Sequence, residues 1–361
     1  MNAIVSILPR TDAAAKAARV LVVDDSVVVR TVIERILNND SAFAVVHKTN
    51  TAEQALCFLA ENPVDLVLLD IELPGQSGLA ALPAILQASP RARVAILSGN
   101  CDAGSAVAVQ ALALGASDIL SKPCSGSFGQ QFPQALIERL KRLLHGDPPP
   151  LPEPRRSPPR AVVAPAHHPL NCLGIGASTG GIHALSLLFG GLSEPLGVPI
   201  LLTQHLPASF TQYFAQQLAL MTNLHVKIAR QGDVLEADTV FIAPGDANLR
   251  LWRNLAGKIC IHLTPEPTAS GNLPGIDPMF SSMAEIYGAG SAGIVLTGMG
   301  RDGTAGARDI VEAGGWIVAQ DKASSVVWGM PGSIHAAGLN CAVLEPGAIM
   351  DFVARQGKAR A

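Results

Sequence analysis

A proline-rich segment constrains the fold of this chain more than any other sequence feature. Nine of the 23 residues from 147 to 169 are proline. Because proline cannot continue a helix or donate a hydrogen bond to a β-ladder, this segment is predicted to be a semi-extended linker between two domains. The predicted organisation is a flexible N-terminal tail, a first domain, a proline-rich linker and a second domain, at 1–18, 19–140, 141–162 and 163–355.

The part before the linker alternates between apolar, strand-like runs and amphipathic, helix-like stretches. The runs lie at 20–23, 43–46, 65–69, 94–97 and 119–120, and the stretches at 27–38, 51–61, 77–88, 104–115 and 130–144. Five such repeats with nearly continuous apolar strands predict a parallel sheet covered by helices on both faces. In such folds, ligands bind beyond the carboxyl ends of the strands.

Polar side chains stand at these predicted strand ends. Asp24 and Asp25 follow the first strand, Asp70 the third, Ser98 the fourth and Lys122 the fifth. Three converging carboxylates repel one another unless a hard divalent cation joins them, and Mg²⁺ suits oxygen ligands. Asp70 could then act as a nucleophile towards a phosphoryl group, with Lys122 and Ser98 as its binding partners. Any one of these acids alone is better explained as a helix cap or a solvated loop residue, but the set favours a site.

This first part resembles the receiver domain of bacterial two-component response regulators, a five-stranded parallel, flavodoxin-like fold. The resemblance covers about 19–140 and rests on V-D-D-S at 23–26, L-L-D-I-E-L-P-G-Q-S-G at 68–78 and S-K-P at 121–123. It implies phosphorylation of Asp70 by a sensor histidine kinase, with Mg²⁺ bound in this domain. Many receivers carry an aromatic switch residue three positions before the lysine, where this chain has Ile119.

The resemblance also implies a role for each residue of the site. The implied Mg²⁺ ligands are Asp24, Asp25, Asp70 and the backbone carbonyl of Glu72, and the implied sensors of the phosphoryl group are Ser98 and Lys122.

After the linker, a glycine-rich turn surrounds Ser178. The spacing Gly176-x-Ser178-x-Gly180 fits a nucleophile elbow, in which a serine projects from a strand-to-helix turn. The same turn could cradle a phosphate at a helix N-terminus or be a plain turn. Thr179 stands where a dinucleotide-binding fingerprint needs glycine or alanine, which weighs against that alternative.

The rest of this part predicts a second, doubly wound α/β domain. Strand-like runs lie at 200–203, 240–242, 259–263, 294–296 and 317–319, helical stretches at 181–189, 208–221, 277–287, 304–313 and 331–337, and a hairpin is expected around 226–250.

A serine nucleophile needs a base and an orienting acid. His205 ends the run P-I-L-L-T-Q-H at a predicted strand end, where catalytic and structural roles are equally open, while His183 lies in the next helix and is expected to point elsewhere. Asp302 lies in a second glycine-rich turn, T-G-M-G-R-D-G, whose Met299 amide could line an oxyanion hole.

Three other acids compete for the orienting role. Asp277 looks like a helix N-cap, Asp246 looks like a turn former, and Asp321 ends a strand and is the serious rival. The order Ser178, His205, Asp302 differs from the Ser, Asp/Glu, His order of α/β-hydrolases, so the serine motif does not imply that fold.

This second part resembles the chemotaxis protein-glutamate methylesterase domain, and a receiver followed by this domain is the architecture of the CheB family. The motifs are G-A-S-T-G-G at 176–181, Q-H-L-P at 204–207, A-P-G at 243–245, T-G-M-G-R-D-G at 297–303, A-Q-D at 319–321 and G-M-P at 329–331.

The resemblance implies Ser178 as nucleophile, His205 as base and Asp302 as orienting acid, with Thr179 and Met299 supporting the oxyanion site and no cofactor in the esterase site. Relatives often have R-P-S-V-D where this chain has L-P-G-I-D at 273–277.

The expected function is hydrolysis of glutamate γ-methyl esters, and deamidation of glutamines, on methyl-accepting chemotaxis receptors. The unphosphorylated receiver is expected to cover the site. Two alternatives are a non-enzymatic response regulator and a serine hydrolase for another ester.

The composition bounds the partners and the location. A net charge of −3 and the absence of a basic recognition helix argue against nucleic acid. No apolar stretch reaches the roughly 20 residues of a membrane span. The six cysteines contain no Cys-x-x-Cys pair, which suits a reducing compartment, and a cytoplasmic location is expected.

Overall fold

A computed structural model describes residues 17–98, 102–122, 131–145, 168–268 and 271–358. The predicted tail up to residue 16 and the linker from 146 onwards lie outside the described residues, so these two predictions are not tested. Helix α5 runs to His145, which places the first five residues of the predicted linker in a helix.

The first domain is a five-stranded parallel sheet in the order β2-β1-β3-β4-β5. The strands are β1 (Ala18–Val23), β2 (Phe43–Thr49), β3 (Leu66–Asp70), β4 (Arg93–Ser98) and β5 (Asp118–Ser121), and the helices are α1 (Val27–Asn38), α2 (Ala52–Glu61), α3 (Gly78–Ala88), α4 (Asp102–Ala113) and α5 (Gln131–His145). The predicted βα order is confirmed. Strands β1, β3 and β4 are almost wholly buried, as expected of a parallel sheet covered on both faces, whereas the edge strand β2 is partly exposed.

Hydroxyl side chains fix where three of these helices begin. Ser26, Thr51 and Ser77 each precede a helix and accept a hydrogen bond from the backbone amide three residues further on. This N-capping satisfies a donor that the first turn of a helix leaves free. The predicted helix starts therefore fall within two residues of the observed ones.

The second domain is a seven-stranded parallel sheet in the order β14-β13-β12-β6-β7-β9-β8. Its strands are β6 (Cys172–Ala177), β7 (Ile200–Gln204), β8 (His225–Ile228), β9 (Thr239–Ile242), β12 (Ser291–Val295), β13 (Trp316–Gln320) and β14 (Asn340–Leu344), and a separate pair is β10 (Asn248–Arg253) and β11 (Ile259–Thr264). The helices are α6 (Gly181–Gly190), α7 (Ala208–Ala219), α8 (Ile276–Tyr287), α9 (Thr304–Glu312), α10 (Met330–Ala336) and α11 (Pro346–Lys358). The doubly wound α/β class is confirmed.

The predicted hairpin around 226–250 is wrong. That region holds β8 and β9, which pair in parallel. The hairpin is instead formed by β10 and β11, which make a separate two-stranded sheet. The predicted run at 259–263 is therefore not a strand of the seven-stranded sheet. The reason is the turn at 254–257, where Asn254 Oδ1 accepts amides of Ala256 and Lys258 and Gly257 takes a left-handed φ of 77°.

The two domains are in contact. Helix α4 packs against α6 and α7, and buried side chains of α4 join the core of the second domain. His183 Nδ1 lies 3.0 Å from the carbonyl oxygen of Ala113, the last residue of α4. Arg93 donates to the carbonyl of Ser325 at 3.4 Å. The start of α6, just behind Ser178, is therefore held against the first domain.

Candidate active site and acidic pocket

The acidic pocket of the first domain lies at the carboxyl ends of β1 and β3. One carboxylate oxygen from each of Asp24, Asp25 and Asp70 lies within 4.8 Å of the others. Lys122 Nζ lies 2.6 Å from Asp70 Oδ2 and 3.1 Å from Asp24 Oδ2. Three carboxylates facing one ammonium group leave an excess of negative charge among oxygen donors, which fits a hard divalent cation.

Burial and the facing charges together set the pKa values of this pocket. Asp24 and Asp70 are buried, whereas Asp25 is exposed. Burial, with the nearby Asp24 carboxylate, raises the pKa of Asp70 despite the opposing hydrogen bond and charge of Lys122. Burial alone would lower the pKa of Lys122, but Asp70 and Asp24 outweigh it and raise that pKa. Asp70 is thus a carboxylate whose charge the protein only partly compensates.

The backbone around Asp70 is closely packed. The amide of Glu72 donates to Asp70 Oδ1 at 3.1 Å, so Glu72 lies beside the pocket. A Cβ atom at Gly78 would lie 1.8 Å from the carbonyl oxygen of Asp70, so only glycine fits at the start of α3. Ser98 is buried at the end of β4.

Ser178 lies in a tight turn between β6 and α6. Its amide donates to Thr297 O at 3.1 Å, and its carbonyl accepts from the amide of Gly181 at 2.7 Å and from Gln204 Nε2 at 2.9 Å. Gly180 has a left-handed φ of 76°, and a Cβ atom there would lie 2.5 Å from Val326 Cγ2. This turn therefore fixes the serine backbone and needs glycine behind it.

His205 and Asp302, predicted at two separate strand ends, are brought together. His205 follows β7 and Asp302 precedes α9, and His205 Nε2 lies 2.8 Å from Asp302 Oδ2. Asp302 is 1% exposed. Its carboxylate also accepts the amides of Ile276, Asp277 and Gly303 at 2.8, 3.3 and 3.0 Å.

The donors around Asp302 decide its charge. Burial alone would raise its pKa, but the hydrogen bond and charge of the His205 ring, followed by the amides of Ile276 and Asp277, hold the pKa of Asp302 below its usual value. The carboxylate is therefore ionised and fixed in place, as an acid that orients an imidazole needs to be.

Among the described residues, Asp302 is the acid that contacts His205, and the three rival acids have other surroundings. Asp321 accepts hydrogen bonds from Ser324, and Asp246 lies in a turn. The prediction that Asp277 is the N-cap of α8 is wrong. Gly275 is the N-cap, and Asp277 Oδ1 instead accepts the Gly306 amide of α9 at 2.8 Å. Burial, followed by the charge of Asp302, raises the pKa of Asp277 to about 6.

A cleft of about 820 Å³ opens in front of these residues. Its second-domain wall contains Ser178, Thr179, His205 and Met299. Its first-domain wall contains Leu112, Ser117, Asp118, Ile119, Ala135, Glu138, Arg139 and Arg142. Ile119 thus lines the cleft between the domains from the position where many receivers carry an aromatic residue.

Sequence reasoning missed most of this first-domain wall and the contact of His183. No local motif marks these residues, because they are defined by packing between segments far apart in the chain. Arg139 is an example. Its guanidinium donates two hydrogen bonds, of 2.6 and 2.7 Å, to the Asp118 carboxylate, and the separation of these two residues in the sequence matches no known motif.

The glycine at position 275, where relatives often have serine, has a steric explanation in this chain. The amide of Gly275 donates to Asn248 Oδ1 at 2.6 Å. A Cβ atom at Gly275 would lie 2.1 Å from Thr268 Cγ2. A serine therefore does not fit here unless Thr268 moves.

In the described parts of the chain, every helix is too short or too polar to cross a membrane.

Comparisons with known proteins agree with both halves of this description. Residues 173–353 match the CheB methylesterase family, and residues 20–128 match the response regulator receiver domain. A protein-glutamate methylesterase/protein-glutamine glutaminase of Caulobacter vibrioides is 38% identical over 346 residues, covering 94% of this chain and 99% of its own. A relative of the same name from Nocardioides sp. is 40% identical over 341 residues, covering 89% of this chain and 90% of its own.

One solved structure resembles the second domain. The crystal structure of the Thermotoga maritima CheB methylesterase catalytic domain is 34% identical, with a TM-score of 0.50, and covers 52% of this chain and 98% of its own.

Proposed function

The chain belongs to the CheB family of protein-glutamate methylesterases with protein-glutamine glutaminase activity, and we propose that a Ser178–His205–Asp302 triad carries out this chemistry on methyl-accepting chemotaxis receptors. The observation that carries the proposal is the 2.8 Å contact between His205 and Asp302 in the cleft that Ser178 also lines. Removal of receptor methyl groups would give sensory adaptation. We propose a cytoplasmic location, because the substrate glutamates of this family lie on the cytoplasmic domains of the receptors.

The contact with Asp302 supports a distinct role for each nitrogen of the imidazole. Because Nε2 faces Asp302, Nδ1 is the nitrogen left to take the Ser178 proton. Ser178 Oγ attacks the γ-carbonyl carbon, His205 takes the proton and then protonates the departing methoxide, and methanol leaves. Water then cleaves the acyl-enzyme and releases glutamate. With a glutamine the same steps release ammonia.

The negative oxygen of each tetrahedral intermediate needs hydrogen-bond donors. Thr179 and Met299 line the cleft beside Ser178, and their backbone groups are proposed to support the oxyanion. Donors held in place before the reaction stabilise charge that develops in the transition state.

The acidic pocket supports regulation by phosphorylation of Asp70, with a histidine kinase as phosphodonor. Mg²⁺, held by Asp24, Asp25, Asp70 and the carbonyl of Glu72, would neutralise the charge of the incoming phosphoryl group when bound. Lys122 already contacts Asp70 at 2.6 Å and would sense the phosphoryl group together with Ser98.

Only a few residues of the chain separate the acidic pocket from the cleft. Lys122 directly follows β5, whose Ile119 lines the cleft. A shift of β5 and α5 on phosphorylation would open the first-domain wall and admit the receptor.

Replacement of the proposed nucleophile tests the function. With methylated receptor as substrate, Ser178→Ala should reduce methanol release by at least about 10³-fold, because no other group in the cleft is proposed to form the acyl-enzyme. Ser186→Ala, in the α6 helix that follows Ser178, is the matched control and should retain activity. Near-normal methanol release by Ser178→Ala would refute the triad.

A further inference from the structure

The first turns of α8 and α9 are each capped by an aspartate side chain from the other helix or from the loop that precedes it. Asp302, just before α9, accepts the amides of Ile276 and Asp277 in the first turn of α8. Asp277, in α8, accepts the amide of Gly306 in the first turn of α9. First-turn amides have no partner within their own helix, and the positive end of the helix favours an anion there. The two helices are thus joined by a reciprocal pair of caps.

The starts of α8 and α9 are closely packed against each other at Gly306. A Cβ atom at Gly306 would lie 2.6 Å from the carbonyl oxygen of Asp277 and 2.6 Å from Phe280 Cβ. The two helix starts are therefore closely packed at the capping contact, which joins Asp277 to the segment that follows Asp302.

The two carboxyl groups have different electrostatic surroundings. Asp302 faces the His205 ring and three amides. Asp277 has the amides of Gly306 and Ala305 as hydrogen-bond donors and the Asp302 carboxylate as its neighbour. Burial, followed by the charge and hydrogen bond of Asp302, favours the neutral form of Asp277.

Other charged groups on these elements are placed further out. On α8, Glu285 lies 3.9 Å from Arg250 of β10. On α9, Asp309 accepts a hydrogen bond from Ser281, and Arg308 is exposed. In the loop before α9, Arg301 is exposed and lines the cleft.

We propose that Asp277 is a positioning residue for the catalytic pair. Its carboxyl group holds the loop of Asp302 against α8, and its ionisation sets part of the negative charge that the His205 ring experiences. The proposal rests on the proposed triad and adds to it a second carboxyl group that does not touch the substrate.

Charge and capping can be separated by an isosteric change. Asp277→Asn keeps an oxygen for the Gly306 amide and an N–H that can donate to Asp302, so it mimics the protonated acid and should fold. It removes the negative charge that Asp277 carries above about pH 6. A neighbouring anion favours the protonated form of an imidazole. Loss of this anion should therefore let the base lose its proton at lower pH.

The test is the pH profile of kcat/KM for methanol release from methylated receptor, measured on the full-length chain without phosphodonor. The acid limb should move to lower pH by about 0.5 unit in Asp277→Asn. The plateau should fall by about threefold, because the imidazolium formed in the transition state loses a neighbouring anion. Asp309→Asn, the same change at an exposed position of the α8–α9 pair, should leave the limb in place.

A purely structural role would lower activity equally at every pH without moving the acid limb, and that result would overturn the proposal. Asp277→Ser, which also removes the charge and keeps an oxygen, should move the limb in the same direction and provides a second measurement if the asparagine variant does not fold. The proposed function has a separate test, because Ser178→Ala should abolish methanol release whatever Asp277 does.

Discussion

The two aspartate sites of this enzyme are built in opposite ways. Asp302 is surrounded by three backbone amides and an imidazole, and its pKa is held low despite burial. Asp70 is equally buried, but among the described residues its carboxylate faces one amide, the Lys122 ammonium group and the carboxylates of Asp24 and Asp25, and its pKa is raised. A carboxylate with all its acceptor sites used can orient a neighbour, whereas one with spare negative charge can take up a cation and a phosphoryl group.

The same substitution at both aspartates gives the strongest test of this difference. Asp302→Asn should lower kcat for methanol release by about 10³- to 10⁴-fold, because the amide no longer fixes the tautomer and orientation of the His205 ring. Single-turnover assays at saturating methylated receptor would measure it. A loss of less than about tenfold would mean that Asp302 does not orient the base.

Asp70→Asn should leave basal methanol release intact and remove its stimulation by a small-molecule phosphodonor, because an amide cannot form the acyl phosphate. Rates with and without phosphodonor, for the wild type and the variant, measure the effect. Stimulation of equal size in the variant would remove Asp70 from its proposed role. Asp40→Asn, which changes an aspartate paired with Lys141 elsewhere in the same domain, is the control.

Magnesium should stabilise one of the two sites and not the other. At ten times its dissociation constant, Mg²⁺ should stabilise the wild-type receiver by about 1.4 kcal/mol, seen as a higher melting temperature than in EDTA. The increase should be much smaller in Asp70→Asn and unchanged in Asp302→Asn. An equal response in all three proteins would show that the ion binds elsewhere.

The smallest expected effect is the pH dependence of stability at Asp302. Because its folded-state pKa lies below the ordinary value of about 3.9, its contribution is fully present above that value and is lost as the pH falls through the folded-state pKa. Asp302→Asn should therefore destabilise the protein by about 1–2 kcal/mol at pH 7, and the difference from the wild type should shrink at pH 3–4. Urea unfolding at the two pH values would measure it, and a constant difference would contradict the assigned ionisation.

The sequence predicted the positions that depend on local rules. Asp24, Asp70, Ser178 and His205 all follow a short apolar run, and parallel strands present such ends at one edge of the sheet. Glycines such as Gly180 mark the turns, because no other residue tolerates that conformation and that contact. In the first domain, the order of strands and helices followed from hydrophobic patterning alone, whereas β14 and α11 of the second domain were not predicted.

The remaining features depend on contacts between distant segments. Whether β8 and β9 pair in parallel or as a hairpin is not encoded in either strand, and the prediction was wrong there. Asp277 was misassigned because its partner, Gly306, lies 29 residues further on. The first-domain wall of the cleft follows from docking of two domains, which single-sequence patterns do not report.

If the receptor binds in the cleft as proposed, the first domain competes with the substrate. Residues such as Ile119 and Arg139 face the same space as Ser178, so under this proposal a bound receptor segment and a docked receiver exclude one another. A tethered competitor acts at an effective concentration in the millimolar range, and it should therefore raise KM more than it lowers kcat. The coupling between the two sites is reciprocal. If phosphorylation of the receiver favours the undocked state and thereby receptor binding, then receptor binding favours the undocked state and thereby phosphorylation. A bound receptor should then make the receiver easier to phosphorylate, so that the substrate itself promotes its enzyme's activation.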